Sequence, residues 1–89
     1  MRVKCSFVLQ EIMDDCIIVP IGSEADRLGG VLRVNSTGAF IWNLLSKSNV
    51  EKKKLIEEVS REYGIAKDIA DKDVEVFLNK LEALGCLEQ

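Results

Sequence analysis

The sequence predicts an α+β fold, a winged-helix-like domain in which a three-stranded antiparallel sheet is followed by three helices. Three observations carry this expectation. Apolar residues in the first third follow a strand-like pattern, β-branched and bounded by turn residues. The remainder switches to helical spacing, with apolar residues at i, i+3 and i+4. Strand signals that precede helix signals, instead of alternating with them, indicate α+β. The chain has 89 residues, 47% hydrophobic and 30% charged, which fits one small globular domain spanning 1–89 and excludes a disordered or collagen-like chain.

Taken in order, FVLQEI from Phe7 and Cys16–Ile21 read as two strands, with Met13-Asp14-Asp15 as the turn of a hairpin. Pro20 lacks an N–H and is expected at a strand end or sheet edge. Gly22–Gly30 reads as a polar loop with a helical turn around Glu24–Arg27, and Gly29-Gly30 launches a short third strand, Val31–Val34. Asn35 or Ser36 caps a first helix over about Thr37–Leu45, whose buried stripe is Ile41, Leu44 and Leu45, widened by Phe40. Ser48 or Asn49 caps a second helix over about Val50–Tyr63, with Leu55, Ile56, Val59 and Tyr63 inward. Lys52, Lys53 and Lys54 are spaced to pair with Glu57 and Glu58 on its exposed face. Gly64 suits the left-handed residue past its end. A third helix runs from Asp68 to about Leu84 and stops at Gly85, burying Val74, Phe77, Leu78, Leu81 and Leu84 before Cys86 and Leu87 return to the core.

Missing residue types narrow the chemistry. The chain has no His, which removes imidazole acid–base catalysis, Ser–His and Cys–His pairs and imidazole metal ligands. Cys5, Cys16 and Cys86 have no C-x-x-C spacing and read as reduced, mostly buried thiols. Neither a phosphate-binding glycine loop nor a catalytic constellation is present, so no enzyme activity, cofactor or metal site is expected. No segment is apolar for long enough to span a membrane, and the acid-interrupted N-terminus does not read as a signal peptide, so a cytoplasmic protein is expected.

A helical run beside a small sheet raises DNA binding as an alternative. Charge opposes it. Residues 68–89 carry Lys72 and Lys80 against six acidic residues, a net charge of −4, on the helix that would have to approach phosphates. A free strand edge is the better candidate site. Val31–Val34 is short, and as an outer strand it would offer unpaired N–H and C=O groups to an extended peptide. The same edge, without a ligand, could pair with a second copy to give a homodimer.

VLRVNSTGAFIWNLL and DKDVEVFLNKLEALGCLE resemble the PqqD family, the coenzyme PQQ synthesis protein D group. The matching features are Val34-Asn35, Thr37-Gly38-Ala39, Ile41-Trp42 and Leu44-Leu45, then Asp73-Val74, Phe77-Leu78, Leu81 and Gly85-Cys86-Leu87. FVLQEI…CIIVPIG is similar to the family's N-terminal hairpin. One departure is the exit of the first helix, where Ser46-Lys47-Ser48-Asn49 replaces the acidic-Gly turn of many relatives. The resemblance implies recognition of the leader segment of a ribosomally made precursor peptide, and its delivery to a modifying enzyme such as a radical SAM maturase. It implies that the leader lies antiparallel along the third strand beside the third helix. Backbone groups of Val31, Leu32, Arg33 and Val34 would then pair with the peptide, and Asp73, Val76, Phe77 and Lys80 would line the groove. It further suggests that Arg33 and Lys80 meet acidic leader residues and Asp73 basic ones. Each has a simpler alternative: Phe77 as core, Arg33 and Lys80 as surface charges, and Trp42 as packing instead of a ligand platform.

Overall fold

The computed structural model describes residues 1–4, 6–22 and 31–88. The sequence expectations for Cys5, for the turn at Glu24–Arg27 and for Gly29-Gly30 lie outside the described residues. Strand β1 is Arg2–Val3, β2 is Phe7–Ile12, β3 is Asp15–Pro20 and β4 is Leu32–Val34. Helices α1 (Ser36–Lys47), α2 (Lys52–Tyr63) and α3 (Lys67–Leu84) follow, and β5 (Leu87–Glu88) ends the chain.

The expected three-stranded antiparallel sheet is present, in the order β2-β3-β4. Its hairpin turn is tighter than expected. Asp15 pairs with Ile12, leaving a two-residue turn of Met13 and Asp14, with Met13 held at φ 57°. The strand expected over Val31–Val34 is one residue shorter, because pairing starts at Leu32 opposite Ile18. Pro20 closes β3, as its missing donor requires.

Pairing alternates the side chains between two faces. Phe7, Leu9, Ile18, Leu32 and Val34 share the face that joins the helical core. Val8, Gln10, Ile17, Val19 and Arg33 share the opposite face. The core is completed by Ile41, Trp42 and Leu45 of α1, Leu55 and Val59 of α2, and Ala70, Val74, Phe77, Leu78 and Leu81 of α3. Burying a side chain of this size contributes about 1.5–3 kcal/mol, so the helices supply most of what holds the sheet. Trp42 lies within this core, the packing alternative raised for it.

The helix ends follow local chemistry. Asn35 caps α1, its Oδ1 accepting the Gly38 N–H at 2.8 Å. Ser48 and Asn49 do not cap α2; Glu51 occupies that position without a side-chain bond. Asn49 and Val50 are used elsewhere. The Asn49 Oδ1 accepts from the Met1 amine, and the Val50 N–H donates to the Met1 carbonyl at 2.8 Å. With no glycine at its exit, α1 ends in an extended residue, Ser48 (φ −164°), instead of a left-handed one. Gly64 and Gly85 end α2 and α3 at φ 61° and 80°, as expected. At Gly85 the reversal returns the Cys86 N–H to the Leu81 carbonyl at 3.1 Å.

Two further features differ from the sequence reading. Tyr63 is not an inward residue: its ring packs edge-on against Phe40 at 5.8 Å and its hydroxyl donates to the Ser36 carbonyl at 3.2 Å. Lys54 pairs with Glu58 at 3.1 Å, but Lys52 crosses to Asp71 and Glu75 of α3. A second small sheet, β1-β5, also forms, with Arg2 opposite Glu88 and Val3 opposite Leu87. Strands of two residues have no periodicity to detect, so this sheet is invisible in the sequence.

Candidate peptide-binding edge and groove

The backbone pairing determines which groups are free. In a two-residue hairpin the residues flanking the turn, Ile12 and Asp15, exchange both hydrogen bonds. Bonded pairs therefore recur at Gln10↔Ile17 and Val8↔Val19. The Ile21 N–H donating to the Ser6 carbonyl at 2.7 Å continues the same alternation. So Asp15, Ile17 and Val19 direct their N–H and C=O groups toward β2, while Cys16 and Ile18 direct theirs toward β4. Cys16↔Val34 and Ile18↔Leu32 are then the bonded pairs, and Ile17↔Arg33 is the non-bonded one. The Arg33 N–H and C=O consequently point away from the sheet.

This corrects the expectation that all of Val31–Val34 offers backbone groups to a guest. Leu32 and Val34 spend theirs on β3, and Arg33 is the strand residue whose groups have no partner among the described residues. Val31 lies outside the strand and is 61% exposed. Among the described residues, no strand pairs with the outer side of β4.

Beside this edge lies a pocket of about 150 Å³. Six of the eight expected site residues line it: Arg33, Val34, Asp73, Val76, Phe77 and Lys80. Leu32 and Val31 do not. On α3, Asp73, Val76, Phe77 and Lys80 fall at i, i+3, i+4 and i+7, which places them on one face of the helix. Phe77 belongs to both descriptions: it is only 7% exposed, part of the core, and still forms the pocket wall. Val76 is 55% exposed, an apolar side chain that the core does not need.

The wall at the start of α1 was missed as a site: Asn35, Thr37, Gly38 and Ile41 also line the pocket. The Thr37-Gly38-Ala39 triplet was visible in the sequence, but its purpose was not. A Cβ at Gly38 would lie 2.9 Å from the Phe77 ring and 3.1 Å from the Val34 Cβ. Glycine lets α1, α3 and β4 close to this distance, and the Asn35 cap aims α1 so that they meet.

The described residues contain no cluster of side chains able to hold a metal ion. Burial pushes the Cys86 thiol up to about 11, so it stays protonated, and it donates to the Leu81 carbonyl at 3.4 Å. Cys16 is half-buried. No helix in the described residues is long and apolar enough to cross a membrane.

Fold and site together define a small α+β domain in which, among the described residues, the outer side of β4 is unpaired and lies beside a helix. The family model for coenzyme PQQ synthesis protein D (PqqD) matches residues 15–87, and the chain belongs to that family. Two solved structures share the fold. One is TbiB1 in complex with the TbiA(beta) leader peptide, at TM-score 0.75 and 20% identity, covering 99% of this chain and 95% of that one. The other is a lasso peptide synthetase B1 complexed with the leader peptide, at TM-score 0.74 and 16% identity, covering 99% and 96%. No curated protein sequence matches the chain.

Proposed function

We propose that residues 1–89 form one recognition domain that binds the leader segment of a ribosomally made precursor peptide and presents it to a modifying enzyme. The enzyme class this reading favours is a radical SAM maturase, and the domain itself performs no reaction. The observation that carries the reading is the outward-facing Arg33 backbone at an edge bordered by the Asp73–Lys80 face of α3. A peptide added there as a fourth strand gains about 0.5–1.5 kcal/mol net per main-chain hydrogen bond. The pocket adds burial and selectivity. Micromolar affinity, about −8 kcal/mol, is within reach and still permits release to the enzyme. Support also comes from family membership and from the leader peptides named in both related complexes. The acidic residues of α3, including Asp68, Asp71, Asp73, Glu75 and Glu82, disfavour a nucleic-acid partner.

NMR titration with synthetic peptides from precursor reading frames encoded beside the protein tests the proposal. The Arg33 amide and those of Asp73–Leu84 are expected to shift together, and any homodimer paired through β4 is expected to dissociate. Saturating peptide that leaves the Arg33 amide unmoved refutes strand addition at this edge.

A further inference from the structure

The far end of α1 is finished differently from the ends of the other helices. α2 and α3 exit through left-handed glycines whose N–H groups return to helix carbonyls. α1 exits through Ser48 in an extended conformation, and among the described residues no backbone N–H donates to the carbonyls of Leu45, Ser46 or Lys47. The residues that carry these carbonyls line a cleft of about 370 Å³ between α1, β1 and β5. Phe7 and Leu45, both buried, form its floor together with Val3.

The rim is cationic, although the chain as a whole has a net charge of −3. Arg2 is neutralised by Glu88 at 2.8 Å. Lys4 and Lys47 also line the cleft, and neither takes part in an ion pair among the described residues. The unpaired carbonyls at the helix end amount to about half a negative charge, which two ammonium groups outweigh. The β1 wall is held in place without a partner. The Val50 N–H donates to the Met1 carbonyl at 2.8 Å, and the Lys4 N–H donates to the Cys86 carbonyl at 2.9 Å.

One kind of occupant satisfies all three features. An extended acidic segment brings N–H groups for the carbonyls, carboxylates for Lys4 and Lys47, and an apolar side chain for the floor. A nucleic acid backbone brings no such donors. The acidic α3 of a second copy brings none either, because its N–H groups are spent within the helix. Gly38 in the peptide groove and Ser46 in this cleft stand about 12 Å apart along α1, so both sites can be filled at once. A domain that presents a peptide must touch its enzyme on a surface the peptide leaves uncovered.

We infer that this cleft docks the modifying enzyme, through an extended acidic segment of that enzyme with an apolar anchor. The inference rests on the presenting role proposed above and adds the surface that meets the enzyme.

The test measures binding of the full chain to the modifying enzyme encoded beside it by isothermal titration, and follows the Arg33 amide with the synthetic precursor peptide by NMR. The double variant Lys4→Glu/Lys47→Glu is expected to bind the enzyme at least about tenfold more weakly and to keep the peptide-induced Arg33 shift. Lys53→Glu/Lys67→Glu makes the same change of net charge elsewhere and is expected to leave enzyme binding unchanged. Wild-type affinity in the cleft variant, an equal loss in the control, or a change confined to self-association in ultracentrifugation overturns the inference. A wild-type chain that binds no enzyme, with the Arg33 shift present, overturns it and leaves peptide recognition standing. Cleft-dependent enzyme binding with an unmoved Arg33 amide does the opposite: it refutes strand addition and keeps the docking surface.

Discussion

The sheet has two outer strands, and they are not equivalent. β2 is six residues long, and the same alternation that frees Arg33 directs the N–H and C=O of Leu9 and Glu11 outward. β4 has three residues and frees one. By backbone alone β2 is the better template. Yet among the described residues β2 reaches a pocket only through Phe7 at its start, whereas β4 runs beside α3 and the start of α1. Backbone bonds attract any extended chain, whereas on the proposed reading the pocket beside β4 distinguishes one register from its neighbours. A charged residue on an exposed edge also discourages casual pairing, and Glu11 stands on β2 in that role. The proposed site is therefore the shorter edge, on the reading that selectivity comes from the wall and not from the length of the strand.

The largest expected effect comes from disturbing that wall. Gly38→Ala crowds Phe77 and Val34, and overpacking of about 1–3 kcal/mol outweighs most or all of the roughly 1 kcal/mol that Ala gains over Gly in a helix. A net loss of up to about 2 kcal/mol in urea denaturation, with weaker peptide binding, is expected. Unchanged stability and affinity would show that the close approach is dispensable, leaving the two edges less different than described. Removing the cap comes next. Asn35→Ala frees the Gly38 N–H and should cost about 1 kcal/mol, measured in the same way.

Two proline substitutions compare the edges directly. Arg33→Pro and Glu11→Pro each remove an N–H that faces outward, which an edge strand tolerates. Arg33→Pro should weaken peptide binding at least about two- to tenfold, the equivalent of one main-chain bond, and Glu11→Pro should leave it unchanged in isothermal titration. The reverse result would move the guest to β2. Leu32→Pro, by contrast, removes a donor to Ile18 and damages the sheet itself. The smallest effect belongs to the hairpin. Met13→Gly relieves the left-handed conformation and should stabilise the fold by about 0.5 kcal/mol without altering peptide affinity.

Much of this was legible in the residues. The β2–β3 hairpin, the edge strand before α1, the cap at Asn35, the glycine exits of α2 and α3, and the apolar faces of all three helices follow from local patterns. So does the i, i+3, i+4, i+7 row from Asp73 to Lys80, because helical spacing alone places those residues on one face. Tyr63 was misjudged because its position fits the inward stripe, but its hydroxyl finds a partner at the surface. The partners of Lys52 were misjudged because α2's own glutamates compete with two acidic residues on α3 that no local spacing reveals.

The chain by itself determined which segments are strands and helices, and that no histidine chemistry is available, since these depend on neighbours a few residues away. Tertiary structure decided which backbone groups of β4 are free, why position 38 must be glycine, and that residues 35–41 and 73–80 enclose one pocket. Those facts depend on the pairing phase carried from the Met13-Asp14 turn through β3 to Arg33, and on helices far apart in sequence meeting within van der Waals distance. Neither leaves a local trace in the order of the residues.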